Sequence, residues 1–116
     1  MQSSLDVLSK CSGRRIAILG DMRELGEAAP QMHADIGRYA ASLGIARILC
    51  VGKESLHMYR AAKSVAPDCA DYFESQDALL VSLHEFVTQG DIILVKASRG
   101  MYLEKTVELL LSLGNA

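Results

Sequence analysis

Two groups of polar side chains in this 116-residue chain could bind a ligand, and each follows a short apolar run. The first group comprises Asp21, Arg23, Glu24 and Glu27. The second group comprises Lys96, Ser98 and Arg99. Acids on one loop and cations on the other suit a zwitterion such as an amino acid or a peptide, because each charge favours one end of the ligand.

The first group also has an interpretation that needs no ligand. Asp21 and Glu24 can satisfy backbone donors in a capped, solvated turn. The sequence leaves both interpretations open. Met22 and His33 are supporting candidates, because both are expected beside the same crevice.

The second group precedes a predicted helix, and the first N–H groups of a helix attract anions. Lys96, Ser98 and Arg99 would add donors for a carboxylate or a phosphate. Arg99 could equally form a structural ion pair with Glu24 or Glu27 on the neighbouring loop. Both interpretations stay open at this point.

Familiar nucleotide and metal motifs do not occur in the sequence. The turn after Gly20 lacks the glycine spacing of a dinucleotide site, since the next glycine is Gly26. Lys53 follows a glycine but precedes Glu54, where a phosphate-binding loop needs serine or threonine. No metal site is expected, because the histidines are isolated on separate predicted helices: His33, His57 and His84. We expect the last two at surface or boundary positions.

Short branched apolar runs alternate with segments of helical spacing. Strands are predicted at 15–19, 48–51 and 92–95, with a weaker one at 69–73. Helices are predicted at 32–43, 56–65, 79–86 and 103–111, with a short opening helix around Leu5 and Leu8. We expect one α/β domain over residues 1–116, a three-layer Rossmann-like sandwich with a mainly parallel sheet of about four strands in the order 3-2-1-4. Ligands of such sheets bind beyond the carboxyl ends of the strands, which is where both polar groups lie.

Composition excludes several classes of protein. Twelve Lys and Arg face fourteen Asp and Glu, with no basic cluster, so a nucleic-acid partner is not expected. The apolar runs are too short for a membrane span, and the first residues do not resemble a secretory signal. Three widely spaced cysteines fit reduced thiols, which favours a cytoplasmic location.

One stretch of the first loop matches a known family, namely Gly20-Asp21-Met22-Arg23-Glu24-Leu25-Gly26. Through it the sequence resembles the carboxy-terminal domain of a bacterial Mur ligase, and the stretch is specific to the branch of that family that adds D-alanyl-D-alanine. The remaining matches follow in the family's order: His33, Gly37, Val51-Gly52, Gly90-Asp91, Val95-Lys96-Ala97-Ser98-Arg99 and Glu104. The departure is Ala97, where the family usually has glycine.

The resemblance implies an ATP-dependent ligase that joins D-alanyl-D-alanine to a UDP-linked muramoyl tripeptide. In the family, the first domain binds the UDP-sugar and the central domain carries the ATP and magnesium site. The third domain, which matches this chain, helps to hold the dipeptide and closes over the ATP site. The resemblance implies Asp21, Lys96, Ser98 and Arg99 as substrate-binding residues, with Met22, His33 and Glu104 in support.

The resemblance also implies that the chain is a domain excised from a longer polypeptide. We expect it to bind no cofactor and to be inactive alone, with the amino-terminal and central domains of its parent as partners. The edge beside strand 92–95 could then pair with a second copy as an edge-strand dimer. The alternatives are a receiver-like signalling module, for which the second acid beside Asp21 is missing, and a flavin module, for which aromatic residues are few.

Overall fold

The computed structural model describes residues 2–11, 13–22, 26–87 and 91–96. The strands are β1 (Arg15–Gly20), β2 (Arg47–Val51), β3 (Ala70–Phe73) and β4 (Ile92–Lys96). The helices are α1 (Gln2–Ser9), α2 (Ala29–Ser42), α3 (Ser55–Val65) and α4 (Gln76–Phe86), with a 3-10 turn at Gly26–Ala28. Each predicted strand is confirmed to within one residue at each end. The helix predicted at 103–111 lies outside the described residues.

The four strands form one parallel sheet in the order β3-β2-β1-β4, which confirms the predicted order. From β1 the chain winds outward through β2 to β3, and it then returns across the sheet to place β4 on the other side of β1. The direction of winding therefore reverses between β1 and β4. In open α/β sheets, a ligand crevice forms outside the carboxyl ends of the strands at such a reversal.

Helices cover both faces of the sheet, because successive residues of a buried strand point to opposite sides. Ala17 and Leu19 of β1 belong to a core cluster shared with α1, α2 and α3. Ile16 and Ile18 belong to a second cluster that includes Leu79 and Leu83 of α4. These buried apolar side chains on both faces explain why the strands read as near-continuous apolar runs in the sequence.

Helices α2 and α3 approach each other closely at Gly37. A Cβ atom added at Gly37 would lie 2.1 Å from the backbone oxygen of Met58 on α3. The neighbouring buried residues are also small, with Ala40 and Ala41 on α2 and Ala62 on α3. The distance between the two helices is therefore set by the absence of a side chain at position 37.

The first and last strands are also held together at their amino ends. The Arg14 guanidinium donates to Asp91 Oδ2 at 3.1 Å and to the backbone oxygen of Phe86 at 3.1 Å. The Ile92 N–H donates to the backbone oxygen of Arg14 at 2.9 Å. These contacts fix the register in which β4 pairs with β1.

No helix in the described part of the chain is long and apolar enough to cross a bilayer.

The three thiols differ in accessibility. Cys50 is fully buried in β2 and Cys69 is nearly buried, and burial raises the pKa of both thiols. Cys11 is partly exposed after α1. Because the thiolate is the reactive form, we expect a disulfide reagent at pH 8 to label Cys11 of the folded chain first and Cys50 only as fast as the chain unfolds. Mass spectrometry of timed samples checks this order, and equal labelling rates for Cys11 and Cys50 would contradict it.

Candidate functional site

The carboxyl ends of β1 and β4 lie side by side at the reversal of winding. In the parallel register Leu19 pairs with Lys96, so the chain leaves β1 towards Asp21 next to the exposed Lys96 side chain. Leu94 packs against the same core cluster as Leu19, so Lys96 and Asp21 continue the side of the sheet covered by α1, α2 and α3. An acid and a cation from the two predicted loops are thus brought to one edge.

Asp21 points from the end of β1 to the first turn of α3. Its Oδ1 accepts a hydrogen bond from the Ser55 N–H at 2.8 Å and another from the Ser55 hydroxyl at 2.7 Å. Ser55 is fully buried, and Gly52 leaves the space that the carboxyl group fills. A carboxylate beside a free helix N–H is stabilised by the helix dipole. The bond from the Ser55 N–H agrees with the interpretation of Asp21 as an acceptor of backbone donors.

His33 is fully buried at the start of α2 and contacts the same exit of β1. Its Nε2 accepts a hydrogen bond from the Met22 N–H at 3.0 Å. Its Nδ1 lies 2.6 Å from the backbone oxygen of Ala29. Only the tautomer with the proton on Nδ1 satisfies both contacts, since Nε2 must accept while Nδ1 donates. Both ring nitrogens are thus engaged inside the protein.

At the carboxyl ends of the strands, acidic side chains lie near β3. Tyr72 pairs with Cys50 across β2 and β3 and is half-buried. Partial burial raises the pKa of the Tyr72 hydroxyl, and the carboxylates of Glu74 and Asp21 raise it further. Lys96 lies at the opposite end of the four strands. Acidic groups thus lie near the end of β3, and a cation ends β4.

Of the predicted site residues, the structure describes four. Asp21, Met22 and His33 meet at the exit of β1, and Lys96 ends the neighbouring strand. The other predicted residues lie outside the described part of the chain: Ser98, Arg99 and Glu104. His57 is partly exposed and His84 is exposed, as expected for surface or boundary histidines.

Sequence reasoning missed Ser55 as the partner of Asp21. The signal was available, since a serine in the first turn of a helix commonly makes local polar contacts. The two residues are 34 positions apart, however, and only the crossover from β1 to β2 brings them together. Nothing in the residue spacing of the loop after β1 indicates the direction in which the Asp21 side chain points.

Within the described ranges, no group of three or more His, Cys, Asp or Glu side chains is arranged to hold a metal ion.

We expect Ser55→Ala to lower the free energy of unfolding by about 1–2 kcal/mol, because it leaves one bond to the partly buried Asp21 carboxylate unmade. Urea denaturation of the 116-residue chain measures the change. Ser64→Ala is the matched control, since Ser64 is exposed on the same helix and its hydroxyl donates to the Ala61 oxygen within that helix. Equal losses for the two variants would contradict a stabilising contact between Asp21 and Ser55.

Comparison with known proteins identifies the family. The Mur ligase, glutamate ligase domain family matches residues 1–99 of this chain. The UDP-N-acetylmuramoyl-tripeptide–D-alanyl-D-alanine ligase of Escherichia coli (strain K12) is 34% identical over 112 residues, which are 95% of this chain and 24% of the relative. The ligase of the same description from Bacillus subtilis (strain 168) is 34% identical over 97 residues, which are 83% of this chain and 21% of the relative.

Solved structures show the same architecture. A MurF from Acinetobacter baumannii superimposes with a TM-score of 0.81 at 25% identity, over 97% of this chain and 25% of its own length. A MurF ligase from Thermotoga maritima in complex with ADP has a TM-score of 0.75 over 98% of this chain and 25% of its own. At 21% identity the second likeness concerns the fold alone. The chain spans about a quarter of the length of these relatives. It belongs to the Mur ligase family, as a glutamate ligase domain.

Proposed function

We propose that this chain is the carboxy-terminal domain of an ATP-dependent ligase that adds D-alanyl-D-alanine to a UDP-N-acetylmuramoyl tripeptide in the cytoplasm. The observation that carries the proposal is the register of β1 and β4, which brings Lys96 beside the exit of β1 at the reversal of winding. The family match and the relatives named for this reaction support it. They also favour it over the receiver-like and flavin-binding alternatives.

In the proposed reaction, the terminal carboxylate of the tripeptide receives the γ-phosphoryl group of ATP, and ADP leaves. The amine of D-alanyl-D-alanine then attacks the carbonyl carbon, phosphate leaves, and the nitrogen loses a proton. ATP and magnesium belong to the central domain of the ligase in this proposal, and the UDP-sugar belongs to its amino-terminal domain. The contribution of this chain is to orient the dipeptide and to exclude water when the domains close.

Lys96 and Arg99 would meet the dipeptide carboxylate or a nucleotide phosphate, because Lys96 is the cation that ends β4 and Arg99 follows it three positions later in the sequence. Ser98 would exchange a hydrogen bond with the same ligand, and Glu104 would support this loop. Asp21 would hold the opposite loop in place through Ser55. Met22 would lie against the ligand on that side.

The complete ligase polypeptide that carries this chain tests the proposal. We expect it to release ADP over many turnovers only when the tripeptide and D-alanyl-D-alanine are both present, and we expect the 116-residue chain alone to release none. Lys96→Met should raise the KM for the dipeptide or for ATP at least about tenfold, since one charge-assisted contact is lost. Lys10→Met is the control, because Lys10 is exposed and follows α1 near the start of β1, at the opposite edge.

Three results would overturn the proposal. The first is ADP release by the isolated chain, and the second is failure of the complete ligase to join the dipeptide to the tripeptide. The third is an equal effect of the Lys96 and Lys10 substitutions on both KM values, which would remove Lys96 from the site.

A further inference from the structure

Two residues from different helices, Ser55 of α3 and His33 of α2, bind the chain where it leaves β1. Asp21 is bonded to the first turn of α3, and the next residue, Met22, is bonded through its N–H to His33 of α2. The Met22 side chain packs against the core cluster formed with α1, α2 and α3. The direction in which the chain leaves β1 is therefore set in part by contacts to two helices.

The hydrogen bond from the Met22 N–H to His33 orients the backbone at Met22, which an apolar residue at position 33 could not do. His33 is fully buried, so its imidazole has left water, and burial of a polar group is favourable only when the group is bonded. A leucine of similar volume would fill the same space without that requirement. The ring, however, anchors Nδ1 on the Ala29 oxygen and presents Nε2 to one backbone N–H. Its specific contribution is the orientation of the peptide group before Met22.

We infer that His33 is a positioning residue for the ligase reaction, which orients the β1 exit through the Met22 N–H and touches no substrate. The inference rests on the proposed function, because its effect is expected on the dipeptide. It differs from a supporting role in which the His33 ring itself contacts the ligand, since both ring nitrogens are engaged elsewhere. Met22 is the group through which His33 acts.

Two conservative substitutions separate the two bonds of the ring. His33→Gln places an amide oxygen where Nε2 lies, so it can still accept from Met22. His33→Asn places an amide nitrogen where Nδ1 lies, so it can still donate to Ala29 but leaves the Met22 N–H without an acceptor. In the complete ligase we expect the Asn variant to raise the KM for D-alanyl-D-alanine about fivefold, the equivalent of one hydrogen bond, while the Gln variant stays within about twofold of wild type. The KM for the tripeptide should not change in either variant.

A backbone variant gives the same test without altering the core. Replacing Met22 by its α-hydroxy analogue turns the amide into an ester and deletes the one N–H that His33 accepts. We expect this variant to reproduce the KM of the Asn variant, even where His33→Asn fails to fold. In the 116-residue chain, amide exchange at Met22 should be slow in wild type and in the Gln variant and faster in the Asn variant.

The outcomes separate the positioning role from the proposed function. If the wild-type ligase does not use the dipeptide, the proposed function fails and the inference falls with it. Suppose instead that the wild type is active but that the Asn, Gln and ester forms do not differ from one another in their KM for the dipeptide. His33 is then only structural, and the inference is overturned. An equal rise in the KM for the tripeptide would overturn it as well.

Discussion

Gly37→Ala should destabilise the folded chain by about 3 kcal/mol or more, although alanine is ordinarily the better helix former. The new methyl group would lie 2.1 Å from the Met58 oxygen and 2.9 Å from its carbonyl carbon. These are backbone atoms of α3, so no side chain can rotate away, and the two helices must move apart. Separation would loosen the core cluster that both helices share with the sheet. Urea denaturation of the 116-residue chain measures the loss.

Gly44→Ala is the matched control for this change. Gly44 has a positive φ of 71°, and an added Cβ there would meet no atom within 4 Å. Gly44→Ala should therefore lower the free energy of unfolding by only about 1 kcal/mol, which is the backbone strain of an alanine in the left-handed region. A smaller loss for Gly37→Ala than for Gly44→Ala would show that α2 and α3 do not need their close approach.

Gly52→Ala should destabilise the chain by about 2–4 kcal/mol for two independent reasons. The φ of Gly52 is 117°, which a residue with a side chain adopts only under strain. The added Cβ would also lie 2.6 Å from the Asp21 carboxyl carbon, and moving that group would break its bonds to Ser55. Thermal and urea denaturation of the 116-residue chain measure the combined loss.

A double-mutant cycle with Asp21→Ala divides the two contributions. Asp21→Ala removes the carboxyl group that the new Cβ would strike, but it leaves the strained φ unchanged. We therefore expect Gly52→Ala to cost about 1–2 kcal/mol less in the Asp21→Ala background than in wild type. Additive losses would contradict contact between position 52 and the Asp21 carboxyl group.

The sheet was predictable because its signal is local. Branched apolar runs at Ile16–Leu19 and Ile48–Val51 are typical of strands buried on both faces, and the structure has strands there. Strict alternation with helices then limits the topology to few arrangements. The 3-10 turn at Gly26–Ala28 was not predicted, since three residues carry no periodicity.

The partners inside the candidate site were less predictable, because they depend on contacts between elements. Periodicity placed His33 on a helix near the first loop, but it did not show that the Met22 N–H is its partner. Gly37 carries no apolar side chain, so a search for helical apolar spacing passes over it. Its importance comes from α3, an element that begins 18 positions later at Ser55. Such contacts follow from packing and not from the type of residue.

The pairing of β1 with β4 has a consequence for how the chain reaches its native state. Arg14 and Asp91, which join these strands, are separated by 77 positions, whereas β1 and β2 are joined by a single crossover. Closing a longer stretch of chain loses more entropy, and non-local pairing slows folding. We therefore expect the β1–β2 pair to acquire amide protection before β4 docks. The crevice would then be the last part of the sheet to assemble, and the first to be lost when the fold opens locally.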